Sequence, residues 1–256
     1  MGAGETMAEQ DDSETRRLDV ELVRRSLAAS RAQARAAIEA GKVLVEGVAA
    51  TKPGMLVRGD APITAEAAHP WVSRGGVKLD HALTVFGVDC AGRACLDVGA
   101  STGGFTDVLL ARGARRVVAV DVGRDQLHSR LREDARVVSL ESTDARNLTA
   151  AMLGEPPTLI VCDASFISLS KLLERALSLA APGASLVALF KPQFEVGPAN
   201  VGRSGIVSNQ AATEAAAHNI ELWLKAAGWP VGNWTESPIA GGDGNRERLL
   251  LAGNKP

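Results

Sequence analysis

The chain has 256 residues, of which 46% are apolar and 23% charged, and a net charge of −2. This composition suits one catalytic domain of roughly 180 residues with a small appended one. No run approaches the roughly 18–20 apolar residues of a membrane helix. The acidic start MGAGETMAEQDDSET has none of the basic-then-apolar order of a secretion signal, so the expected location is cytoplasmic. Cys90, Cys95 and Cys162 lack metal-ligand spacing and read as buried thiols, and the four histidines are scattered; no metal is expected.

The net charge conceals an uneven distribution. Residues 1–15 carry five acids and no base, and read as a disordered acidic tail. Residues 16–66 carry nine Lys/Arg against six Asp/Glu, and the remainder balances. Within 16–66, Leu18, Leu22, Val23 and Leu27 recur at a helical period, with Arg17, Arg24 and Arg25 on the other face. A second helix opens at the N-cap Ser30 and runs to Gly41. KVLVEG (42–47) reads as a strand and turn, TKPG (51–54) as a turn, and ITA (63–65) as another strand. So small a core is marginal alone, and bases clustered on two short helices suggest phosphate contact rather than a merely solvated face.

Residues 67–73 form a linker. His69-Pro70 favours extended chain, and Trp71 reads as a docking anchor. Gly75 and Gly76 permit a turn before a helix at 77–86 that carries Lys78. From there to residue 256, apolar runs at 94–99, 116–121, 136–140, 158–163 and 185–190 alternate with helical segments at 105–112, 125–132, 145–152 and 168–180. A longer helix (210–227) and strands near 231–236 and 246–252 complete the pattern. This alternation predicts a doubly wound parallel sheet, which binds ligands beyond the carboxyl ends of its strands.

Chemistry-bearing residues fall at those ends. LDVGASTGGFT (96–106) is a glycine loop spaced G-x-x-x-G-G, unlike the G-x-G-x-x-G of dinucleotide binders. Asp121, ending the second strand, suits the two hydroxyls of an adenosine ribose, and Asp144, after the third, an adenine amino group; helix capping is the alternative role for both. Lys78, Asp163, Lys191 and Glu247 remain as polar residues near strand ends.

Three resemblances follow from these residues. Residues 16–66, with RLD, SR (30–31), GKVLVEG and the KPG turn, resemble the RNA-binding domain first described in small-subunit ribosomal protein four. That implies RNA contact through Arg16, Arg17, Arg31 and Arg35, with Lys42 and Lys52 as further candidates. The glycine loop and its acids resemble the Rossmann-like S-adenosylmethionine methyltransferases, implying a donor site of Asp97, Gly99, Ser101, Gly103, Gly104, Phe105, Asp121 and Asp144. Lys78, Asp163, Lys191 and Glu247 resemble the catalytic tetrad of the FtsJ-related ribose 2′-O-methyltransferases. Lys191 would accept the hydroxyl proton, Lys78 would polarise the hydroxyl, and the carboxylates would orient lysines and ribose.

The blocks WVSRGGVKL, LDVGASTGGFTDVLLARGA, DASFISL, KPQFEVG and SGIV, in one order, resemble the hemolysin-A, or TlyA, family. The expected fold is α/β: a Rossmann-like class I methyltransferase sheet with a small α+β RNA-binding domain at its N-terminus. The implied activity is cytidine 2′-O-methylation of ribosomal RNA in ribosomal subunits, without membrane or metal. HPWV stands where a familiar version of the linker carries Arg-Ala-Trp-Val. The chain also stops soon after its last strand, as in the kind associated with the large subunit. A membrane-active hemolysin and a non-catalytic assembly factor are the competing readings.

Overall fold

The computed structural model describes residues 14–28 and 30–254. The acidic stretch lies outside the described residues as far as residue 13, and Thr15 already belongs to a strand. The chain divides into two compact units between Pro70 and Trp71.

The first unit begins with β1 (Thr15–Arg17) and α1 (Leu18–Arg24). Next comes α2 (Arg31–Glu39), capped where the sequence places it: Ser30 Oγ accepts from the Gln33 amide at 3.3 Å. Short strands β2 (Val43–Val45), β3 (Val48–Ala49), β4 (Leu56–Arg58) and β5 (Ile63–Ala65) follow. β1 pairs antiparallel with β4, and β2 stands between β3 and β5. Leu18 and Leu22 of α1, Ala34 and Ile38 of α2, Val43, Val45 and Val57 bury one small core. β1, β3 and β4 have no counterpart in the sequence reading, which places strands only at 42–47 and 63–65 in this unit.

The second unit runs α3 (Arg74–Phe86), β6 (Ala94–Val98), α4 (Gly104–Ala111), β7 (Arg116–Val120), α5 (Ser129–Arg132), β8 (Val137–Leu140), α6 (Ala150–Leu153), β9 (Leu159–Cys162), α7 (Leu169–Ser178), β10 (Ser185–Phe190), α8 (Pro192–Glu195), α9 (Gln210–Ala226), β11 (Val231–Glu236) and β12 (Arg248–Gly253). The seven strands stand in the order β11-β12-β10-β9-β6-β7-β8. β6 to β10 pair in parallel, and β12 is antiparallel to both its neighbours. Side chains alternate across the sheet. Leu96, Ile160 and Leu186 face a core with α7 and α9, while Cys95, Val161 and Val187 face one with α3 and α4. All three cysteines are free and buried.

Two expected helices are shorter. Instead of 125–132, only Ser129–Arg132 is helical: Asp125 has a positive φ of 54°, and Glu141 Oε1 accepts from the Gln126 and Leu127 amides, holding that stretch as a loop. The segment 145–152 breaks into a single 3₁₀ turn at Ala145–Asn147, begun by Asp144, and α6, begun by Thr149. Each cap restarts the chain. Trp71 is half-buried in the α3–α4 core, close against Gly76, as expected of an anchor. No helix among the described residues is long and apolar enough to cross a membrane.

Candidate active site

From β6 the chain moves outward to β7 and β8, then returns to β9 on the other side of β6. Such a reversal opens a crevice beyond the strand ends. The cavity there is about 520 Å³, within the range of cofactor sites. Gly99 and Ser101 line it from the end of β6, Asp121 from β7, Asp144 from the loop after β8, and Asp163 from β9. Gly99 has φ +81°, and a Cβ there would lie 2.9 Å from the Ala164 backbone, so only glycine lets the two strand ends approach. Asp121 Oδ2 accepts from the Ser101 amide at 2.8 Å and Oδ1 from the Gly123 amide at 2.7 Å. Those bonds fix the carboxylate and leave lone pairs free for further donors. Asp144 caps its 3₁₀ turn and pairs with Arg146, so capping and crevice-lining coexist there.

Two expected donor residues stand elsewhere. Asp97 is fully buried inside β6 and lines neither this cavity nor the adjoining one. Its Oδ2 accepts from Thr106 Oγ1 at 2.7 Å, its Oδ1 has no partner, and burial pushes its carboxyl up to about 7. A strand-interior residue points into a core, so Asp97 braces the loop from beneath. Gly103 also lines neither cavity; it packs against Leu127 and Leu131.

A notch of about 180 Å³ adjoins the crevice and shares Gly99, Ser101, Asp163 and Ser165 with it. Phe105, Gly104 and Lys191 complete much of its wall. A Cβ on Gly104 would collide with Ser73 Oγ and stand 2.9 Å from the Gly76 amide nitrogen, so the starts of α3 and α4 touch here through glycine backbone. Lys191 Nζ lies 2.7 Å from Asp163 Oδ1 and donates to Ser165 Oγ at 2.8 Å.

The other two residues of the expected tetrad form a second pair: Lys78 Nζ donates to Glu247 Oε2 at 2.5 Å, and both are buried. Neither lines the notch. The β10–β12 register ends with Phe190 opposite Arg248, so Lys191 and Glu247 each stand one residue beyond the last paired position. α3, which carries Lys78, also places Gly75 against Asp163, its Cβ position 3.2 Å from Oδ2. The four residues expected to form a tetrad thus make two Lys–carboxylate pairs, each lysine held by a carboxylate.

Sequence reading overlooked Ser165, Phe166 and Phe194. Phe166 is 91% exposed with φ +69°, and lines both the crevice and an open hollow of about 610 Å³. Its ring meets that of Phe194 at 5.3 Å. Leaving a phenylalanine in water forgoes roughly 2 kcal/mol of burial, which suggests a partner that is not protein core. An aromatic three residues after a strand-end aspartate was the available signal.

In the first unit, Asp19 is fully buried and gathers two predicted RNA contacts. Arg17 Nε and Nη2 donate to its two oxygens at 3.0 and 3.1 Å, and Arg31 Nη2 donates at 3.1 Å. The bond from Arg17 foremost holds its carboxyl down at about 2. Arg35, one turn along α2 from Arg31, is exposed, as is Lys52. Arg16 pairs with Glu14 and Lys42 with Glu66. Arg24 and Arg25, on the expected basic face, instead clamp buried Glu21, and Arg25 also donates to the Gly59 and Ala61 carbonyls.

A Rossmann-like sheet with a glycine loop, Asp121 and Asp144 lining its switch-point crevice has the architecture of an S-adenosylmethionine-dependent methyltransferase. The FtsJ-like methyltransferase family matches residues 71–254, and the S4 domain matches residues 16–63. The chain belongs to the TlyA group of FtsJ-like methyltransferases. It is 46% identical over 236 residues to the 16S/23S rRNA (cytidine-2′-O)-methyltransferase TlyA of Mycobacterium tuberculosis, spanning 91% of this chain and 88% of that protein. It is 39% identical over 179 residues to the 23S rRNA (cytidine-2′-O)-methyltransferase TlyA of Campylobacter jejuni, spanning 69% and 68%. Among solved structures, a Streptococcus thermophilus protein described as a candidate hemolysin superposes with a TM-score of 0.75 at 36% identity, over 94% of this chain and 89% of that one.

Proposed function

We propose that the protein methylates the ribose 2′-hydroxyl of a cytidine in ribosomal RNA, using S-adenosylmethionine, and that the large subunit is its substrate. The carrying observation is the notch: it holds Lys191 and Asp163 and opens into the crevice through shared walls. Large-subunit RNA is the substrate that the Mycobacterium and Campylobacter names have in common.

The crevice residues fit the donor. Asp121 faces it with free lone pairs for two ribose hydroxyls, Asp144 suits an adenine amino group, and the Gly99 backbone admits close approach. Bound there, S-adenosylmethionine supplies an electrophilic methyl carbon on sulfonium, which needs no metal. Lys191 Nζ is the proposed acceptor of the hydroxyl proton in its neutral form, and Asp163 and Ser165 aim it. The Lys78–Glu247 pair is buried and lines neither the notch nor the crevice, so its proposed role is to fix the strand ends rather than to polarise the hydroxyl directly. Placement of donor and acceptor contributes most of the rate. Phe166 offers the target base a stacking face once it leaves the RNA helix.

Arg17, Arg31 and Arg35, with Arg16, Lys42 and Lys52, are the proposed RNA contacts of the first unit, and residues 16–66, 67–73 and 74–256 are the chain's proposed RNA-binding domain, linker and catalytic domain. The test is transfer of labelled methyl to isolated subunits, mapped by mass spectrometry, for wild type and Lys191→Ala. Site-specific 2′-O-methylcytidine formed by wild type alone is expected. RNA binding without transfer by wild type indicates an assembly factor, and vesicle leakage without transfer a hemolysin.

A further inference from the structure

The loops leaving β9 and β10, two adjacent parallel strands, carry the acceptor side of the site. They are tied at three places. Lys191 reaches Asp163 and Ser165 within the notch. Phe194 meets Phe166 at the rim. The third tie lies past the notch: Glu195 Oε1 accepts from the Leu169 amide at 2.8 Å.

That third tie is unusual in its chemistry. Leu169 is the first residue of α7, and Ser168, at the cap position, makes no side-chain cap bond. The acceptor comes instead from α8, the short turn that begins immediately after Lys191. A carboxylate at a helix N-terminus satisfies an orphan amide and meets the positive end of the helix dipole. Glu195 does this in a half-buried position, where burial pushes its carboxyl up to about 7 against the opposing effect of the Leu169 bond. The second residue before Leu169 is Ile167, which packs on the core, so the segment from Asp163 to Leu169 is anchored at its far end by α7.

We infer that Glu195 is a positioning residue for methyl transfer: by capping α7 from α8 it locks the Lys191 loop to the Asp163–Phe166 loop. This rests on the proposed function of the notch. Glu195 itself lines neither the notch nor the crevice, so it acts through the placement of Lys191 and Phe194. Misplacing a proton acceptor by a fraction of a bond length slows the chemical step more than it weakens binding.

The experiment compares full-length wild type, Glu195→Ala and Glu195→Gln. Glutamine keeps an oxygen for the Leu169 amide, and alanine does not. The alanine variant is expected to lose about tenfold in kcat, with KM for RNA and donor affinity each within about twofold of wild type, and glutamine to restore kcat to within about threefold. Hydrogen exchange gives a readout independent of activity: protection of the Leu169 amide is expected to fall in the alanine variant and to persist with glutamine. An unchanged kcat in the alanine variant, a loss confined to KM, glutamine as impaired as alanine, or unchanged Leu169 protection would each overturn the inference. If wild type transfers no methyl, the proposed function fails by itself, and the exchange result still decides whether Glu195 ties the loops.

Discussion

Lys78 Nζ donates to Glu247 Oε2 across 169 residues of chain, and the two side chains are 8% and 2% exposed. A pair so deeply placed is costly to break, because the survivor is left charged and unpaired. Glu247→Ala or Lys78→Ala is expected to cost about 3–5 kcal/mol in chemical denaturation. Replacing both, by Lys78→Met with Glu247→Leu, is expected to be markedly milder than either single change. Additive losses would mean that the two groups are not partners.

At the donor crevice, Asp121 holds the Ser101 and Gly123 amides in one arrangement. Asp121→Ala is expected to raise the dissociation constant for S-adenosylmethionine at least about tenfold, through lost acceptors and a loosened loop. Gly99→Ala is expected to do the same by forcing a side chain against Ala164 at φ +81°. Titration calorimetry measures both. Asp97→Asn should instead lower the melting temperature more than it alters donor affinity, since Asp97 faces the core.

In the first unit, similar-looking arginines should separate by phenotype. Arg31→Ala and Arg35→Ala are expected to weaken RNA binding and reduce the salt dependence by about one ion each. Arg25→Ala is expected to destabilise the unit, because Arg25 spends its donors on Glu21 and on the Gly59 and Ala61 carbonyls. Filter binding across a salt series, beside thermal melts, tells the groups apart.

The same unit should be acid-sensitive. Asp19 and Glu21 are held at about 2 by their arginine partners, Arg17 foremost for Asp19 and Arg24 for Glu21. A carboxyl depressed by folding adds stability that is present above its unfolded value and lost as pH falls through the folded one. The unit's stability is therefore expected to decline from about pH 4.5 toward pH 2. Asp19→Asn and Glu21→Gln should each flatten that decline in pH-dependent denaturation.

Most of the catalytic unit is written in hydrophobic period. ACLDV, RVVAV, LIVC and SLVALF are short apolar runs buried on both faces, and each forms a strand within a residue of its expected bounds. The acids at the strand ends are legible for a related reason: a charge terminating an apolar run has to face an open edge. Asp97 misleads because it belongs to the run rather than to its end. Phe166 and Glu195 are harder to read for the opposite reason. One is an apolar residue left outside, whose only trace is its place shortly after a strand-end acid. The other is a half-buried carboxylate whose partner amide only the packing of neighbouring loops reveals. The first unit's ion pairs are equally hidden, since helical spacing cannot show which of Arg17, Arg24, Arg25 and Arg31 meets a buried acid.

β12 lies inside the sheet, between β10 and β11, and it brings Glu247 to Lys78. Among the described strands β12 is the last in sequence, so until it inserts, β10 keeps a raw hydrogen-bonding edge and Lys78 waits without its counter-charge. Insertion of β12 therefore both seals this side of the sheet and supplies Lys78 with its counter-charge, and a chain cut short of residue 247 would keep the crevice residues Gly99, Asp121, Asp144 and Asp163 while lacking Glu247.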